Sequence, residues 1–242
     1  QRQMCIRDSS STENSGDTIT LTATATEAVS SNTVITLATT GDAINNTDYA
    51  LSSTTLTISS GSTTGSITFT ITDDSVYEGD ETISFSAFDI TGDSNYTSSS
   101  PTEDFTITEN ESAPTVTLTS SASSVAESGS ALTLTATLSG VTDEEVTVGI
   151  STSGTGTEGT DYSTISDITI TAGSTTGTAS FTPTDDTIYE ISETAIIAID
   201  TVSGGGATES GTQSQTITIT SEESAPTVTP VSYTHLTLPT KA

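Results

Sequence analysis

The chain has 242 residues, with 32 acidic residues against three Lys or Arg and a formal net charge of −29. Aromatic residues make up 5% of the chain and Trp is absent, so a core must be built mainly from Val, Ile, Leu and Ala. So acidic a chain offers no basic surface to nucleic acid or anionic lipid, and no apolar run approaches the roughly 20 residues of a membrane span. We therefore expect neither nucleic-acid binding nor direct membrane insertion.

The two ends of the chain differ in composition from the body between them. All of its Lys, Arg, His, Cys and Met residues lie near the termini, and none occurs from Ser9 to Val231. The end sequences QRQMCIRDS and VSYTHLTLPTKA look like translated adapter sequence from the edges of assembled environmental contigs. We therefore predict that residues 1–8 and 231–242 are non-native flanks; native disordered tails are the alternative.

The body repeats itself after 112 residues. GSTTGSITFTITDDSVYEGDET, which begins at Gly61, returns as GSTTGTASFTPTDDTIYEISET from Gly173. ESAPTVT likewise occurs at Glu111 and again at Glu223. Two copies of one domain therefore follow each other, and we assign residues 9–112 to repeat 1 and residues 113–224 to repeat 2.

The outer boundaries of the repeats predict that the natural protein is longer. Repeat 2 opens with PTVTLTSSASSVAES, whereas repeat 1 keeps only the equivalent of its last few residues. We therefore expect repeat 1 to be truncated at its N-terminus. A third PTVT begins at Pro226, so we expect residues 225–230 to be the start of a truncated third repeat.

Apolar residues alternate with Thr or Ser along successive segments of each repeat. In TITLTAT, for example, Ile19, Leu21 and Ala23 point one way and the threonines the other. This period of two predicts β-strands, and no segment shows a helical period. In repeat 1 the predicted strands are 18–24, 33–39, 54–59, 65–71, 81–88 and 103–108. The exposed threonines could form an ice-binding array, but ordinary β-propensity explains them.

These strands predict an all-β fold. We expect two tandem immunoglobulin-like antiparallel β-sandwiches of about seven strands each, with the first strand of repeat 1 missing. In such a sandwich, successive connections alternate between two poles. The turn SSGSTTG falls at one pole and carries no acid. The opposite pole, which we call the acid pole, collects the following residues of repeat 1: Glu13, Asp48, Asp73, Asp74, Glu78, Glu81, Glu109, Asn110 and Glu111.

A cluster of acids without bases needs an explanation. Two carboxylates about 4 Å apart repel by roughly 4 kcal/mol at an effective dielectric near 20. Because the body has no Lys or Arg, either several pKa values rise or a cation binds. Hard oxygen ligands without His or Cys favour calcium over zinc or iron, and magnesium retains its waters too firmly for a crowded cage. We therefore expect calcium as the cofactor; a merely solvated acidic loop is the alternative.

The run DYALSSTTLTISSGSTTGSITFTITDDSVYEGDETISF, which begins at Asp48, resembles the Calx-beta domain of sodium–calcium exchangers and large bacterial surface proteins. The resemblance covers nearly all of residues 9–230 in both copies. It implies that the acid-pole residues of repeat 1 are calcium ligands. Their implied counterparts in repeat 2 are Glu127, Asp161, Asp185, Asp186, Glu190, Glu193, Glu222 and Glu223.

Two departures from the family pattern concern these ligands. The family usually closes the domain with a run of Asp, where this chain has ENE at Glu109 and SEE at Ser221. Repeat 2 also has Ile191–Ser192 where repeat 1 has Gly79–Asp80. From this second departure we expect a weaker site in repeat 2, whereas the first concerns the number of ions per repeat.

The resemblance implies a calcium-binding structural or adhesive repeat segment of a larger exported protein, extracellular or on a bacterial cell surface. Its expected partners are calcium ions, neighbouring repeats of the same chain, and cell-surface or matrix ligands. A calcium-sensing regulatory module of a larger membrane or signalling protein is the alternative. We expect no enzyme, because a ring of loop acids does not supply two carboxylates with divergent pKa values in a cleft.

The junction between the repeats is expected to depend on calcium. Pro114 restricts the linker, and the first strand of repeat 2 follows almost at once. A loop of repeat 2 with Asp143, Glu144 and Glu145 should therefore face the acid pole of repeat 1. Calcium would rigidify this junction; a solvated loop and a free hinge are the alternative.

Overall fold

A computed structural model describes residues 2–6, 10–13, 16–92 and 102–233, with only the backbone of residues 2–6. These residues form β-strands and connecting turns, and the predicted all-β fold is confirmed. None of the described residues belongs to a helix long and apolar enough to cross a membrane. Arg7, His235 and Lys241, on which part of the flank prediction depends, lie outside the described residues.

Repeat 1 is a sandwich of two sheets. Its strands are β1 (Arg2–Ile6), β2 (Ser10–Thr12), β3 (Thr18–Ala25), β4 (Thr33–Gly41), β5 (Tyr49–Leu51), β6 (Thr55–Ile58), β7 (Thr64–Ile71), β8 (Val76–Tyr77), β9 (Glu81–Thr91) and β10 (Glu103–Thr108). One sheet has the order β1-β3-β7-β5 and the other β2-β10-β9-β4-β6. The six strands predicted from alternation correspond to β3, β4, β6, β7, β9 and β10.

Repeat 2 has the same architecture. Its strands are β11 (Thr115–Ser120), β12 (Ser124–Ala126), β13 (Leu132–Leu138), β14 (Val141–Thr142), β15 (Val146–Gly154), β16 (Ile168–Ile170), β17 (Thr176–Phe181), β18 (Glu193–Ser203), β19 (Thr208–Glu209) and β20 (Ser214–Thr220). Its sheets have the orders β17-β13-β11-β19 and β12-β20-β18-β15-β16.

Each repeat has its own hydrophobic core between its two sheets. In repeat 1 the inward residues of the strands pack around Tyr49, Phe69, Phe85 and Phe105, and the last two rings each lie 5.1 Å from that of Phe69. The strand alternation places threonines on the outer faces and Ile, Leu, Phe and Ala inside. Burial of these side chains supplies the main driving force for folding.

The expectation that repeat 1 lacks its first strand is wrong. Strand β1 pairs antiparallel with β3, with Met4 opposite Ala23, as β11 pairs with β13 in repeat 2. Without it, β3 would present a row of unpaired backbone N–H and C=O groups, which recruits an available extended segment. The pairing concerns the backbone, so the non-native origin of residues 1–8 stays a prediction.

The beginning of each repeat contributes to both sheets, which alternation alone did not predict. After β1 the chain crosses to the second sheet, where β2 pairs parallel with β10. The same crossing occurs in repeat 2, where β12 pairs parallel with β20. Parallel pairing makes the two strands end at the same pole, so the residue after β2 meets the residue after β10.

Residues beyond repeat 2 do not form a strand within the part of the chain that the structure describes. Residues 225–233 are exposed, and Val228 is among the most exposed apolar side chains. Residues 234–242 lie outside the described residues. Assignment of 225–230 to a third repeat therefore stays a prediction.

The two repeats are joined by a short backbone pairing as well as by the linker. Strand β8 of repeat 1 pairs parallel with β14 of repeat 2, with Val76 opposite Val141 and Tyr77 opposite Thr142. The linker itself is held because Pro114 is buried and its carbonyl accepts a hydrogen bond from the Thr208 N–H at 3.1 Å. The repeats are therefore docked end to end.

Glycines of repeat 2 make room for the aromatic side chain of repeat 1. A Cβ on Gly206 would lie 2.5 Å from Cε1 of Tyr77, and a Cβ on Gly205 would lie 2.6 Å from the Thr142 side chain. Gly206 also has a φ of +59°, which an L side chain rarely adopts. The Tyr77 ring therefore packs directly on the backbone of the turn that joins β18 to β19.

We expect Gly206→Ala to loosen this junction. Gly211→Ala is the matched control, because Gly211 has a similar φ of +67° but a Cβ added there would meet no heavy atom within 4 Å. Both changes carry the cost of a side chain in left-handed backbone, roughly 1–2 kcal/mol, but only Gly206→Ala clashes with Tyr77. Hydrogen exchange of segments 74–79 and 140–144 should accelerate in Gly206→Ala alone. Equal exchange in the two variants would contradict the packing.

Candidate metal centre

The strand pairings bring four separate segments of repeat 1 to one pole. Because β2 ends beside β10, Glu13 meets the segment that begins at Glu109. Strand β5 pairs with the end of β7, and the Asp48 carbonyl accepts a hydrogen bond from the Thr72 N–H at 2.9 Å, one residue before Asp73. Glu81 lies opposite Ile107 at the start of β9.

Glu13 is the centre of this cluster. It is only 3% exposed, and its carboxylate belongs to two groups of three. Glu13, Glu109 and Glu111 offer oxygens that all lie within 4.8 Å of one another, and so do Glu13, Glu78 and Glu81. Two adjacent groups of oxygen ligands therefore share one buried carboxylate.

The remaining predicted residues of repeat 1 border these groups. Asp48 is 5% exposed, and its Oδ2 accepts a hydrogen bond from the Ile44 N–H. Asp73 is exposed and accepts a hydrogen bond from Asn110 Nδ2 at 2.9 Å. Asp74 is also exposed, and its Oδ1 accepts a hydrogen bond from the Val76 N–H at 2.7 Å. All nine residues predicted for repeat 1 thus lie at one pole.

Burial and mutual repulsion keep protons on several of these groups. Burial, and then the charges of Glu109 and Glu78, raise the pKa of Glu13 to about 8. Burial also raises the pKa of Glu81 to about 8 and that of Glu78 to about 7, with Asp48 as the largest charge contribution in both cases. Without a cation, the cluster therefore remains partly protonated near neutral pH.

Glu109 differs from its neighbours because the backbone stabilises its charge. Its Oε2 accepts hydrogen bonds from the N–H groups of Glu78 and Gly79 at 2.6 and 2.9 Å. Its Oε1 accepts two more, from Asn110 and Glu111, both at 2.8 Å. Burial alone would raise the pKa of Glu109, but these bonds lower it. Burial and then the hydrogen bond with Glu109 raise the pKa of Glu111.

Buried carboxylate oxygens without a partner indicate what the cluster is built to hold. Glu13 Oε2, Glu81 Oε2 and Glu111 Oε2 are buried and accept no hydrogen bond. Buried polar atoms are nearly always satisfied, so such oxygens need a bound ion, water or proton. A hard divalent cation with oxygen ligands fits this set, and no nitrogen or sulphur ligand is present in it.

Repeat 2 brings most of its predicted residues together, but in separate groups. Glu127, Glu222 and Glu223 form one group with oxygens within 4.8 Å, and Asp161, Glu190 and Glu193 form another. Glu127 Oε2 and Glu193 Oε2 are buried without a hydrogen-bond partner. In the described residues of this repeat, no carboxylate belongs to both groups.

Burial and hydrogen bonds shift the pKa values of the acidic groups in repeat 2, as they do in repeat 1. Burial raises the pKa of Glu193 to about 7, assisted by a hydrogen bond with Asp161, and burial also raises the pKa of Glu127. Donors of Ser128 lower the pKa of Glu222. The charge of Asp186 also raises the pKa of Glu127. Asp185 is exposed and belongs to neither group.

The residue that holds the loop of repeat 1 is replaced in repeat 2. Ser221 stands at the position of Glu109 and accepts one hydrogen bond, from the Glu190 N–H at 3.4 Å. The Glu109 carboxylate of repeat 1 thus accepts four hydrogen bonds, whereas the Ser221 hydroxyl of repeat 2 accepts a single long one. This difference supports the expectation of a weaker site in repeat 2, which stays a prediction.

Two acids of the pole were missed from the sequence. Asp42 accepts a hydrogen bond from the Thr82 N–H at 2.6 Å and adds charge next to Glu81. Asp80 Oδ1 accepts a hydrogen bond from the Glu109 N–H at 3.0 Å. Asp42 follows strand β4 at the same pole as Asp48, so its position in that connection could have indicated it.

Repeat 2 contributes an acid to the pole of repeat 1. Asp143 follows β14, and its charge raises the pKa of Glu78. Burial and then Glu144 raise the pKa of Asp143, and Asp48 of repeat 1 adds to the effect. The pairing of β14 with β8 places the loop that follows β14 beside the acid pole, as expected.

The fold and the pole together define a class of protein, a tandem β-sandwich that gathers carboxylates at one end of each domain. The Calx-beta domain model matches residues 6–108 and 109–223. The chain therefore belongs to the Calx-beta family and contains two of its domains in tandem. Calx-beta domains are calcium-binding, non-catalytic modules, so calcium is the ion that the family implies for this chain.

Solved structures that are similar to the chain have low sequence identity to it, as three of them illustrate. The CBD12 structure from CALX1.2 is 15% identical, with a TM-score of 0.37, and the match covers 90% of this chain and 99% of that one. The apo-form Calx CBD1 domain is 17% identical, with a TM-score of 0.41, over 46% of this chain and 100% of that one. The D0-D1 domain of Intimin is 14% identical, with a TM-score of 0.29, over 90% and 97%. Among curated proteins, none matches the chain in sequence.

In the presence of excess chelator, we expect stability to fall as pH rises from about 5 to about 8. Glu13, Glu78 and Glu81 have folded pKa values of about 7 to 8 against 4.5 in the unfolded chain. The folded state therefore binds more protons than the unfolded state in this window, and the stabilisation is lost as these protons leave. Melting temperatures measured across the window should decline.

Neutral variants test the origin of this pH dependence. Glu81→Gln removes one titrating group and should flatten the decline, whereas Glu103→Gln, at the start of β10 away from the pole, should leave it unchanged. A melting temperature that stays constant in chelator over the whole window would contradict the partly protonated cluster.

Proposed function

We propose that the chain is a calcium-binding structural and adhesive segment of a larger exported surface protein, in which calcium rigidifies the junction between repeats. One observation carries the proposal. The buried carboxylates of repeat 1, several without a hydrogen-bond partner, lie at the pole that docks on repeat 2. Ion binding there would act on the cluster and on the junction at once.

The ligands we propose for repeat 1 are the carboxylates around Glu13, with Asp48, Asp73 and Asp74 at their border. In repeat 2 they are the two groups around Glu127 and Glu193. A bound cation would replace the protons that these groups otherwise retain and would satisfy their unpaired oxygens. The charge of the ion would also remove the mutual repulsion, since the body has no base that could do so.

The composition supports an environment rich in calcium. Extracellular calcium modules bind with dissociation constants of roughly 0.1–1 mM, whereas cytosolic sensors bind more tightly. A net charge of −29 keeps an array of such repeats soluble and extended. The absence of Cys between Ser9 and Val231 means that the body is not stabilised by disulfides, so ions are the available cross-links.

We expect calcium to raise the melting temperature and chelator to lower it. A site at about 100-fold excess of calcium over its dissociation constant adds roughly 2.7 kcal/mol to the free energy of unfolding. Asp73→Ala combined with Asp74→Ala should abolish most of the shift in repeat 1 and leave repeat 2 responsive. Differential scanning calorimetry with calcium and with chelator measures both effects.

The matched control removes the same charge from the opposite end of the repeat. Asp89 lies late in β9 and Asp104 early in β10, and both are exposed. Asp89→Ala with Asp104→Ala should keep the calcium shift. An unchanged melting curve of the unmodified chain with and without chelator would sink the proposal.

Small-angle scattering tests the junction. In calcium, the distribution of maximum dimensions should be narrow, because the repulsion among Asp48, Glu78 and Asp143 is removed. In chelator, it should broaden as the docked pairing opens more often, and Asp143→Asn should reduce this broadening. Identical distributions in both conditions would mean that the repeats move as independent units. A shift from one narrow distribution to another would instead favour the calcium-sensing regulatory module.

A further inference from the structure

The end of repeat 2 exposes apolar side chains at the place where repeat 1 uses its own for docking. Ile188 is 62% exposed, Tyr189 is 42% exposed and Ile191 is 77% exposed. Ile188 and Tyr189 follow Val76 and Tyr77 by 112 residues, the period of the repeat. In the described part of the chain, Ile188–Tyr189 belongs to no strand and pairs with no segment.

This segment already has the local shape of its docked counterpart. Asp186 Oδ1 accepts a hydrogen bond from the Ile188 N–H at 2.7 Å. Asp74 Oδ1 accepts the equivalent bond from the Val76 N–H, also at 2.7 Å. The same side chain therefore sets the same turn before both segments, although only Val76–Tyr77 has a partner.

The structure also shows the surface on which such a segment docks. Its two parts are Val141–Thr142, which supplies the backbone pairing, and Gly205–Gly206, which leaves room for the tyrosine ring. We call this surface the receiving pole. The sequence of repeat 1 has Ala28–Val29 and Asp93–Ser94 at the equivalent positions, so it lacks the glycine pair.

The geometry points to Ile188–Tyr189 as a docking edge for the receiving pole of a further repeat of the repeat-2 type. That repeat would pair its counterpart of Val141–Thr142 with Ile188–Tyr189 and place its glycine pair on the Tyr189 ring. The linker sequence supports the arrangement, because Glu223–Thr229 is identical to Glu111–Thr117. Repetition of this contact would produce an array in which each repeat docks on the next in the same way.

The inference deepens the proposed structural role, but it rests on the docked junction and not on calcium. Its test therefore compares variants at a single calcium concentration. The full chain is extended by joining a second copy of residues 113–224 directly after Ser224, which recreates the native linker because Glu223–Ser224 repeats Glu111–Ser112. The chain has no Trp, so Tyr189→Trp in the first copy of repeat 2 introduces a single indole, which we call the indole probe.

Two measurements follow the indole probe. Its quenching by acrylamide should be strong in the unextended chain and should fall, in the extended chain, to the level of Tyr77→Trp in the unextended chain. Hydrogen exchange of the peptide that contains the indole probe should slow in parallel. The substitution gives this peptide a mass different from its Tyr189 counterpart in the appended copy, so the two copies are resolved.

The matched control again uses two glycines, now in the appended copy. Gly206→Ala there should restore the quenching of the indole probe, and Gly211→Ala should not. The inference is overturned if extension leaves the probe as accessible as before while the indole of Tyr77→Trp is shielded, or if the two glycine variants behave alike. It is also overturned if the probe is shielded in the unextended chain in a concentration-dependent way, since the occupant would then be a second molecule. A calcium-independent melting curve, by contrast, would affect only the proposed function.

Discussion

Crowding of carboxylates without any base dominates the physics of this protein. The body between Ser9 and Val231 contains no Lys, Arg or His, so repulsion at the acid pole can be relieved only by protons, by backbone N–H donors or by a cation. The cluster around Glu13 shows the first two and leaves oxygens free for the third. Glu81 retains a proton near neutral pH, Glu109 is held by four backbone donors, and oxygens of Glu13 and Glu111 remain for an ion.

The same pole is also the contact between the repeats, which couples its electrostatics to the shape of the chain. The loop that begins with Asp73 contributes the Glu78 carboxylate to the acid pole. The same loop contains the docking segment Val76–Tyr77. Asp143 of repeat 2 adds its charge within reach of Glu78. Only two residue pairs form the docked backbone pairing, so in the proposed function the relief of a few like-charge contacts by calcium would change how often it opens.

Duplication makes each repeat a control for the other. Glu109 in repeat 1 organises the loop that carries Glu78, whereas Ser221 in repeat 2 makes one long hydrogen bond to the corresponding loop. Val76–Tyr77 is docked, whereas Ile188–Tyr189 is exposed although the preceding Asp turn is the same. Differences between the copies therefore identify which features depend on local sequence and which on a neighbouring domain.

The sequence by itself determined the strands, the duplication and the acid pole, because alternation, internal identity and the order of connections are local properties of the chain. It misplaced the beginning of repeat 1, because β1 is held by the free edge of β3 and not by its own composition. It also missed Asp42 and the two donors of Glu78 and Gly79 to Glu109, since these contacts join residues far apart in the chain. Only the tertiary structure decided that Glu13 is buried between two groups of ligands and that Tyr77 lies on Gly206, because both depend on how the sheets and the two repeats pack.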